Sequence, residues 1–279
     1  MRVVEHSSAA ALLAHAGGML ERSETENGLV LGLLASPPAT TALPTWVSVD
    51  GADGPVAVAI RTPPLNLLLA LAPESAIEPL VGALVERGEP LPGVTGPVEA
   101  ARAFADGWAR AKAVSATVTM RQGLYELTMV VPPDPMAPGA LRQVRADEVD
   151  LVATWMADFA TDARLPAHER EVLRRSAAAR IAGGGLHAWE HEGGPVSMAS
   201  LQGATPHGIR VGFVYTPPEL RGRGYASACV AAVSERALAS GKRFCTLYTD
   251  LANPTSNAIY QRVGYRRIGE SVMIAFSPA

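Results

Sequence analysis

Apolar positions recur most legibly in the second half of the chain. Leu141 to Arg145 alternates as a strand does, and "ADEVDLVATWMADFA" puts Val149, Val152, Met156 and Phe159 on one helical face. "PAHEREVLRRSAAARIAGGG" predicts a second helix with a glycine stop. Three strands follow, "LHAWEHEGG", "PVSMASLQG" and "GIRVGFVYT", joined by glycine-rich turns. A helix over "YASACVAAVSERALASG" ends at Gly241. "RFCTLYTD" then reads as a buried strand, "NPTSNAIYQRVG" as a short capped helix, and "YRRIGESVMIAF" as one or two closing strands.

The first half has a similar order. "GLVLGLLAS", "TWVSVDG", "PVAVAIRT" and "LNLLLALA" read as strands, ahead of a helix over "ESAIEPLVGALVERG". "LPGVTGP" is compact and apolar, as a buried turn is. A helix spans "PVEAARAFADGWARAKA", and "TVTMRQGLYELTMVV" is strand material. The shared order of strands, helix, strand, helix, strand points to an internal duplication. Between the halves, "VVPPDPMAPGA" carries prolines at 132, 133, 135 and 138, which fit neither a helix interior nor a central strand. The expected division is a first domain over 1–131, a proline-rich linker over 132–140 and a second domain over 141–279.

Composition narrows the class. With 279 residues, 48% hydrophobic and 18% charged, the chain has material for a sizeable core. A net charge of −3 gives no electrostatic reason for a nucleic-acid partner. The start, "MRVVEHSSAAALLAHAGG", lacks a cationic region leading into an apolar core of signal-peptide length, and no apolar run is long enough to span a bilayer. A soluble cytoplasmic protein without membrane partners is the expectation. Cys229 and Cys245 are too few for a disulfide framework or a four-thiolate zinc site, and no metal is expected. Both sit among apolar neighbours and read as core.

The densest candidate chemistry is "VYTPPELRGRGYASACV", Val214 to Val230. A dinucleotide-binding turn needs G-x-G-x-x-G/A; here Ser227 stands at the third position, and no acidic residue closes a next strand at the right distance. The spacing of a Walker loop is absent. R-x-x-G-x-A after an apolar strand does fit, at Arg221, Gly224 and Ala226. Glycines let successive amides turn toward one anion, the helix start adds its positive end, and Arg221 and Arg223 add paired donors. The plainer reading is a solvated basic turn at the start of a helix.

Strand, loop, amphipathic helix, "FCTLYTD" and "NPTSNAIYQRVGYRRIG" in one order resemble the GNAT superfamily of N-acetyltransferases over about the last 140 residues. The whole chain is similar to the two-domain members, a group that includes mycothiol synthase, with a degenerate N-terminal domain. The resemblance implies an α/β fold of two GNAT-like domains, each a mixed, mostly antiparallel twisted sheet flanked by helices. It also implies acetyl-CoA as cosubstrate and an amine-bearing acceptor, with transfer by direct attack. A non-catalytic CoA or acyl-CoA sensor, or an assembly protein, is the alternative.

By that resemblance Arg221, Gly222, Arg223, Gly224, Tyr225 and Ala226 hold the CoA pyrophosphate. Backbone amides around Phe213, Val214 and Tyr215 pair with the pantetheine arm. Tyr260 is the general acid for the departing thiolate, with packing on a short helix as its plainer role. Asn253 would bind the cofactor and fix the strand end, or simply cap the helix before Pro254; Ser256 and Asn257 stand beside it. For the base, Glu190 is the candidate, with His187, His191, Tyr215 and Asp250 as alternatives and an ordinary surface or edge role open for each. Glu219 reads as a loop-ordering partner. At the matching place in the first half, "LNLLLALAPESAIEPL" has no glycine or arginine, and Pro73 and Glu74 suit an anion poorly. The first domain would therefore support the second, shape the acceptor pocket or mediate homodimerisation.

Overall fold

The computed structural model describes residues 1–38, 42–163, 165 and 167–278. They form two compact units. The first comprises 1–124, 203–206 and 267–278; the second comprises 125–202 and 207–266.

In chain order the first unit holds β1 (Arg2–Glu5), α1 (Ala9–Glu21), α2 (Gly28–Ala35), β2 (Thr45–Gly51), β3 (Gly54–Arg61), β4 (Leu67–Leu69), α3 (Ile77–Glu86), β5 (Gly93–Pro97), α4 (Val98–Lys112) and most of β6 (Val114–Leu127). The second holds β7 (Ala140–Gln143), α5 (Val149–Asp162), α6 (Arg170–Ala182), β8 (Leu186–His191), β9 (Gly194–Gln202), β10 (Gly208–Tyr215), α7 (Tyr225–Ala239), β11 (Phe244–Asp250) and α8 (Pro254–Val263). The closing strand β12 (Arg266–Pro278), which the sequence reading puts with the second half, belongs to the first unit from Arg267 on, and pairs antiparallel with β5.

The duplicated order predicts two similar sheets, and the pairing delivers them. In the first unit β1 to β4 are antiparallel neighbours, and the crossover through α3 makes β4 and β5 parallel. In the second, β7 to β10 are antiparallel neighbours, and the crossover through α7 makes β10 and β11 parallel. A parallel pair needs a long crossover, here supplied once per unit by a helix. β4–α3–β5 thus matches β10–α7–β11, and each sheet is mixed and mostly antiparallel.

Helices cover both faces of each sheet. On β2, Val47 and Val49 join a cluster with Phe104 and Trp108 of α4, whereas Trp46 points to the opposite cluster with Leu12 and Leu20 of α1. In the second unit Val211, Cys229, Val233 and Leu247 pack on the α7 side, and Val152, Trp155, Leu173 and Met198 on the α5–α6 side. Period-two alternation therefore sorts residues between two dry faces rather than between core and water.

Two expectations in the first half are corrected. "GLVLGLLAS" is helix α2, not a strand. Short apolar runs are ambiguous between buried helix and buried strand. Here Gly32 decides for close packing: a Cβ on it would meet the Gly203 backbone at 2.7 Å. "LPGVTGP" contains strand β5 rather than only a turn, and a Cβ on Gly93 or Gly96 would strike Ile274 or Leu69 of the flanking strands. The segment from Val131 to Gly139 has no regular structure, yet it lies against the second unit. Val131 N–H donates to Val263 O at 2.8 Å, Trp189 Nε1 donates to Pro138 O at 3.0 Å, and Ala137 is buried in the core.

Candidate active site

The site starts from a defect in β10. Its parallel pairing with β11 runs from Gly208–Phe244 to Arg210–Thr246 and continues no further. On its other edge Gly212 faces Ser200 but Tyr215 faces Met198, so three steps on β10 oppose two on β9. Phe213 absorbs the extra residue at φ 47°. A left-handed conformation costs a bulky side chain on the order of 1–2 kcal/mol, so it persists only where surrounding bonds fix it. Ser200 Oγ donates to Gly212 O at 3.0 Å and Ser197 Oγ to Tyr215 O at 3.1 Å, one on each side of the bulge. Such bulges re-aim strand ends beside active sites. Here the bulge leaves Val214 and Tyr215 turned toward a cavity, beyond the last pair with β11.

The glycine-arginine turn follows directly. Arg221 is pinned by its Nε, which donates to Thr216 O at 2.9 Å, and by Nη2, which donates to Asp162 Oδ2 at 2.5 Å. Gly222 and Gly224 adopt φ of 76° and 80°, which side-chain-bearing residues avoid. Gly224 is the N-cap of α7. In α1 the cap Ser8 accepts from Ala11 N–H, and in α8 the cap Asn253 accepts from Ser256 N–H at 3.0 Å. A glycine has no such oxygen. The first bond of α7 closes from Ala228 N–H to Gly224 O, leaving the amides of Tyr225, Ala226 and Ser227 without an acceptor among the described residues. Three free donors at a helix N-terminus are suited to holding an anion.

Helix α8 supplies the opposite wall. Asn253 and Pro254 start it, a cap worth about 1 kcal/mol. Asn257 is committed to structure: its Nδ2 donates to Asp250 O at 2.9 Å and Asn253 O at 2.7 Å, and its Oδ1 accepts from Tyr125 at 2.9 Å. Tyr260, one turn further on, is buried and packs edge-on to Tyr265 with ring centroids 6.0 Å apart. Burial alone pushes its phenol well above the ordinary tyrosine range.

One cavity of about 680 Å³ joins these elements. Of the residues expected from sequence, Val214, Tyr215, Arg221, Gly222 and Gly224 line it from the bulge and the turn. Tyr225 and Ala226 line it from α7, and Asn253, Ser256 and Tyr260 from α8. Phe213 stands behind the wall, its ring 5.5 Å from that of Phe159, which does line the cavity. Arg223 reaches back to Glu219 O at 3.4 Å, outside the lining. Glu190 is also outside it, held by Arg142 and by Arg145 at 3.3 Å. His187 is buried in β8 with its pKa lowered, first by burial and then by Arg236; His191 packs 5.7 Å from the Tyr225 ring. Asp250 Oδ1 accepts from Ala252 N–H at 2.9 Å.

Tyr215 is a poor base for a physical reason. Burial, then the charges of Asp158 and Asp162, push its phenol up to about 12, so at neutral pH it holds its proton and donates to Asp158 Oδ2 at 3.4 Å. The sequence reading missed these two aspartates. Their four-residue spacing on "WMADFATDA" places them on one helical face, which was the available signal. Asp162 lines the cavity.

Both cysteines are free and buried, and their thiols are pushed up to about 12, first by burial. A disulfide-exchange reagent at pH 8 is expected to label neither thiol in the native protein and both after denaturation. Rapid labelling of the native chain would contradict the packing. No group of three or more metal-ligating side chains occurs among the described residues, and no helix among them is long and apolar enough to cross a membrane.

Residues 150–265 match the model of the acetyltransferase (GNAT) family. The whole chain also shares its fold with solved structures. An acetyltransferase from the GNAT family of Colwellia psychrerythraea aligns at TM-score 0.59 and 14% identity, covering 99% of both chains. A tandem GNAT protein from the clavulanic acid biosynthesis pathway aligns at 0.60 and 16%, covering 99% of this chain and 98% of that one. A GCN5-related N-acetyltransferase from Sphaerobacter thermophilus aligns at 0.62 and 17%, covering 98% and 94%. No curated relative matches the chain in sequence.

Proposed function

We propose that this chain, a tandem GNAT-fold protein whose residues 150–265 carry the family's acetyltransferase domain, transfers an acetyl group from acetyl-CoA to an amine. Acyl transfer is the chemistry of that family; acetyl-CoA, the amine and the mechanism are our reading. One observation carries it. The free amides of Tyr225, Ala226 and Ser227, the diverging end of β10 and the buried Tyr260 line or border a single cavity.

The residues divide the work. The α7 amides and the turn hold the pyrophosphate, with Arg221 contributing charge if the anion draws it from Asp162. Backbone groups at Val214 and Tyr215 align the pantetheine arm as an added strand, which turns a bimolecular encounter into a positioned one. The amine nitrogen attacks the thioester carbon, the carbon–sulfur bond breaks, and Tyr260 gives its proton to the leaving thiolate. No hydrogen bond to its hydroxyl occurs among the described residues, and burial keeps it protonated. Glu190 lies outside the cavity wall, and in this reading water takes the proton lost by the amine.

Calorimetric titration with acetyl-CoA, followed by detection of released CoA thiol across a panel of primary amines, tests the reading. Saturable binding with amine-dependent thiol release is expected. Absence of acetyl-CoA binding would sink it, and binding without turnover on any amine would favour the sensor alternative.

A further inference from the structure

On the α5–α6 side of the second unit, two arginines carry charge that no acidic side chain answers among the described residues. Arg210 on β10 stands directly opposite Gln202 of β9. Arg180 on α6 donates from Nη1 to Gln202 Oε1 at 2.7 Å, and its guanidinium carbon lies 4.5 Å from the centroid of the Phe213 ring. Phe213 in turn packs against Phe159 of the cavity wall. Gln202 thus bonds to Arg180 and stands in register with Arg210, and Phe213 lies between Arg180 and the cavity-wall ring of Phe159.

Arg210 Nη1 is buried without a hydrogen-bond partner, and neither arginine forms an ion pair among the described residues. Burial depresses the pKa of both; at Arg210 Tyr248 opposes this and Arg180 adds to it. A buried cation without an anion is costly, and its natural complement is a planar carboxylate or a phosphate held by the guanidinium fork. From Arg180 the path to the cavity runs over two packed rings, Phe213 at the bulge and Phe159 in the wall. We propose that Arg180 and Arg210 form an anion subsite that selects an acceptor amine carrying a second, negatively charged group, a carboxylate or a phosphate. Its role in selection rests on the acyl-transfer reading; the anion site itself does not.

Two measurements keep those claims separate. The first follows thermal unfolding against sodium sulfate at constant ionic strength, in a Gly224→Glu background that removes the pyrophosphate cradle. Sulfate is expected to raise Tm in that parent, and Arg180→Met or Arg210→Met to abolish most of the rise. Without sulfate, Arg210→Met is expected to unfold at the same or higher temperature, since it replaces an unpaired buried charge with an apolar chain of similar length. No protection in the parent, or equal protection in both variants, overturns the site.

The second compares kcat/KM for β-alanine, O-phosphoethanolamine and propylamine. An anionic amine is expected to exceed propylamine at least tenfold, and the ratio to collapse toward one in either methionine variant, mainly through KM. The better of the two anionic amines tells carboxylate from phosphate. Equal use of propylamine by the unaltered protein overturns the selection. Should acetyl-CoA fail to bind at all, the transfer reading falls while the sulfate titration still decides the site.

Discussion

Gly224→Glu is expected to weaken acetyl-CoA binding by about 100- to 1,000-fold while leaving the chain folded. Two effects add. A carboxylate beside the bound pyrophosphate sets like charges a few ångströms apart, which amounts to about 4 kcal/mol at 4 Å and an effective dielectric of 20. The φ of 80° at Gly224 also strains any residue with a Cβ, at a cost of about 1–2 kcal/mol. The space itself is not prohibitive, since a Cβ would lie 3.5 Å from that of Ala137. Strain alone should therefore lower Tm by about 2–4 °C for each kcal/mol. Gly224→Asn separates the terms: asparagine tolerates the left-handed region and brings no charge. It should keep most of the affinity that the glutamate variant loses. Calorimetric titration of all three proteins with acetyl-CoA decides, and equal affinity for the glutamate variant and the unaltered protein would remove the turn from the binding site.

How much of this was readable from the sequence differs by level. Strand alternation gave β2, β3, β8 and β9 because every second side chain in a sheet covered on both faces is still apolar. The same continuous apolarity hid α2, whose glycine serves a close backbone contact that no local pattern encodes. The turn Arg221 to Gly224 was legible since glycine and arginine state their chemistry locally. The bulge at Phe213 was not, because register is a property of two strands and phenylalanine is an ordinary strand residue. Arg180 and Arg210 were equally silent; each became a candidate only when the fold set Gln202 against Arg180 and opposite Arg210.

Tyr260→Phe is expected to lower kcat by about 10²- to 10³-fold and to leave acetyl-CoA affinity nearly unchanged. A positioned general acid contributes on that scale, and removing one oxygen from a ring packed against Tyr265 alters little shape. Steady-state kinetics with CoA-thiol detection reads the split between kcat and KM. A pH series adds a signature that a merely structural phenol would not give. Since burial raises the Tyr260 pKa above the ordinary tyrosine value near 10, the proton needed by the leaving thiolate stays in place through the range where amines become nucleophilic. The kcat profile of the unaltered protein should therefore rise with pH and show no alkaline loss below about pH 10, whereas Tyr260→Phe should lose amplitude at every pH. Stability follows the same sign: a group whose folded pKa is raised contributes fully below its unfolded pKa and loses that contribution as pH climbs through the folded one. Buried Tyr260 should thus help unfold the protein above about pH 10, and its phenylalanine variant should resist alkali slightly better. An unchanged kcat in Tyr260→Phe would return this residue to packing and leave the thiolate to be protonated by water.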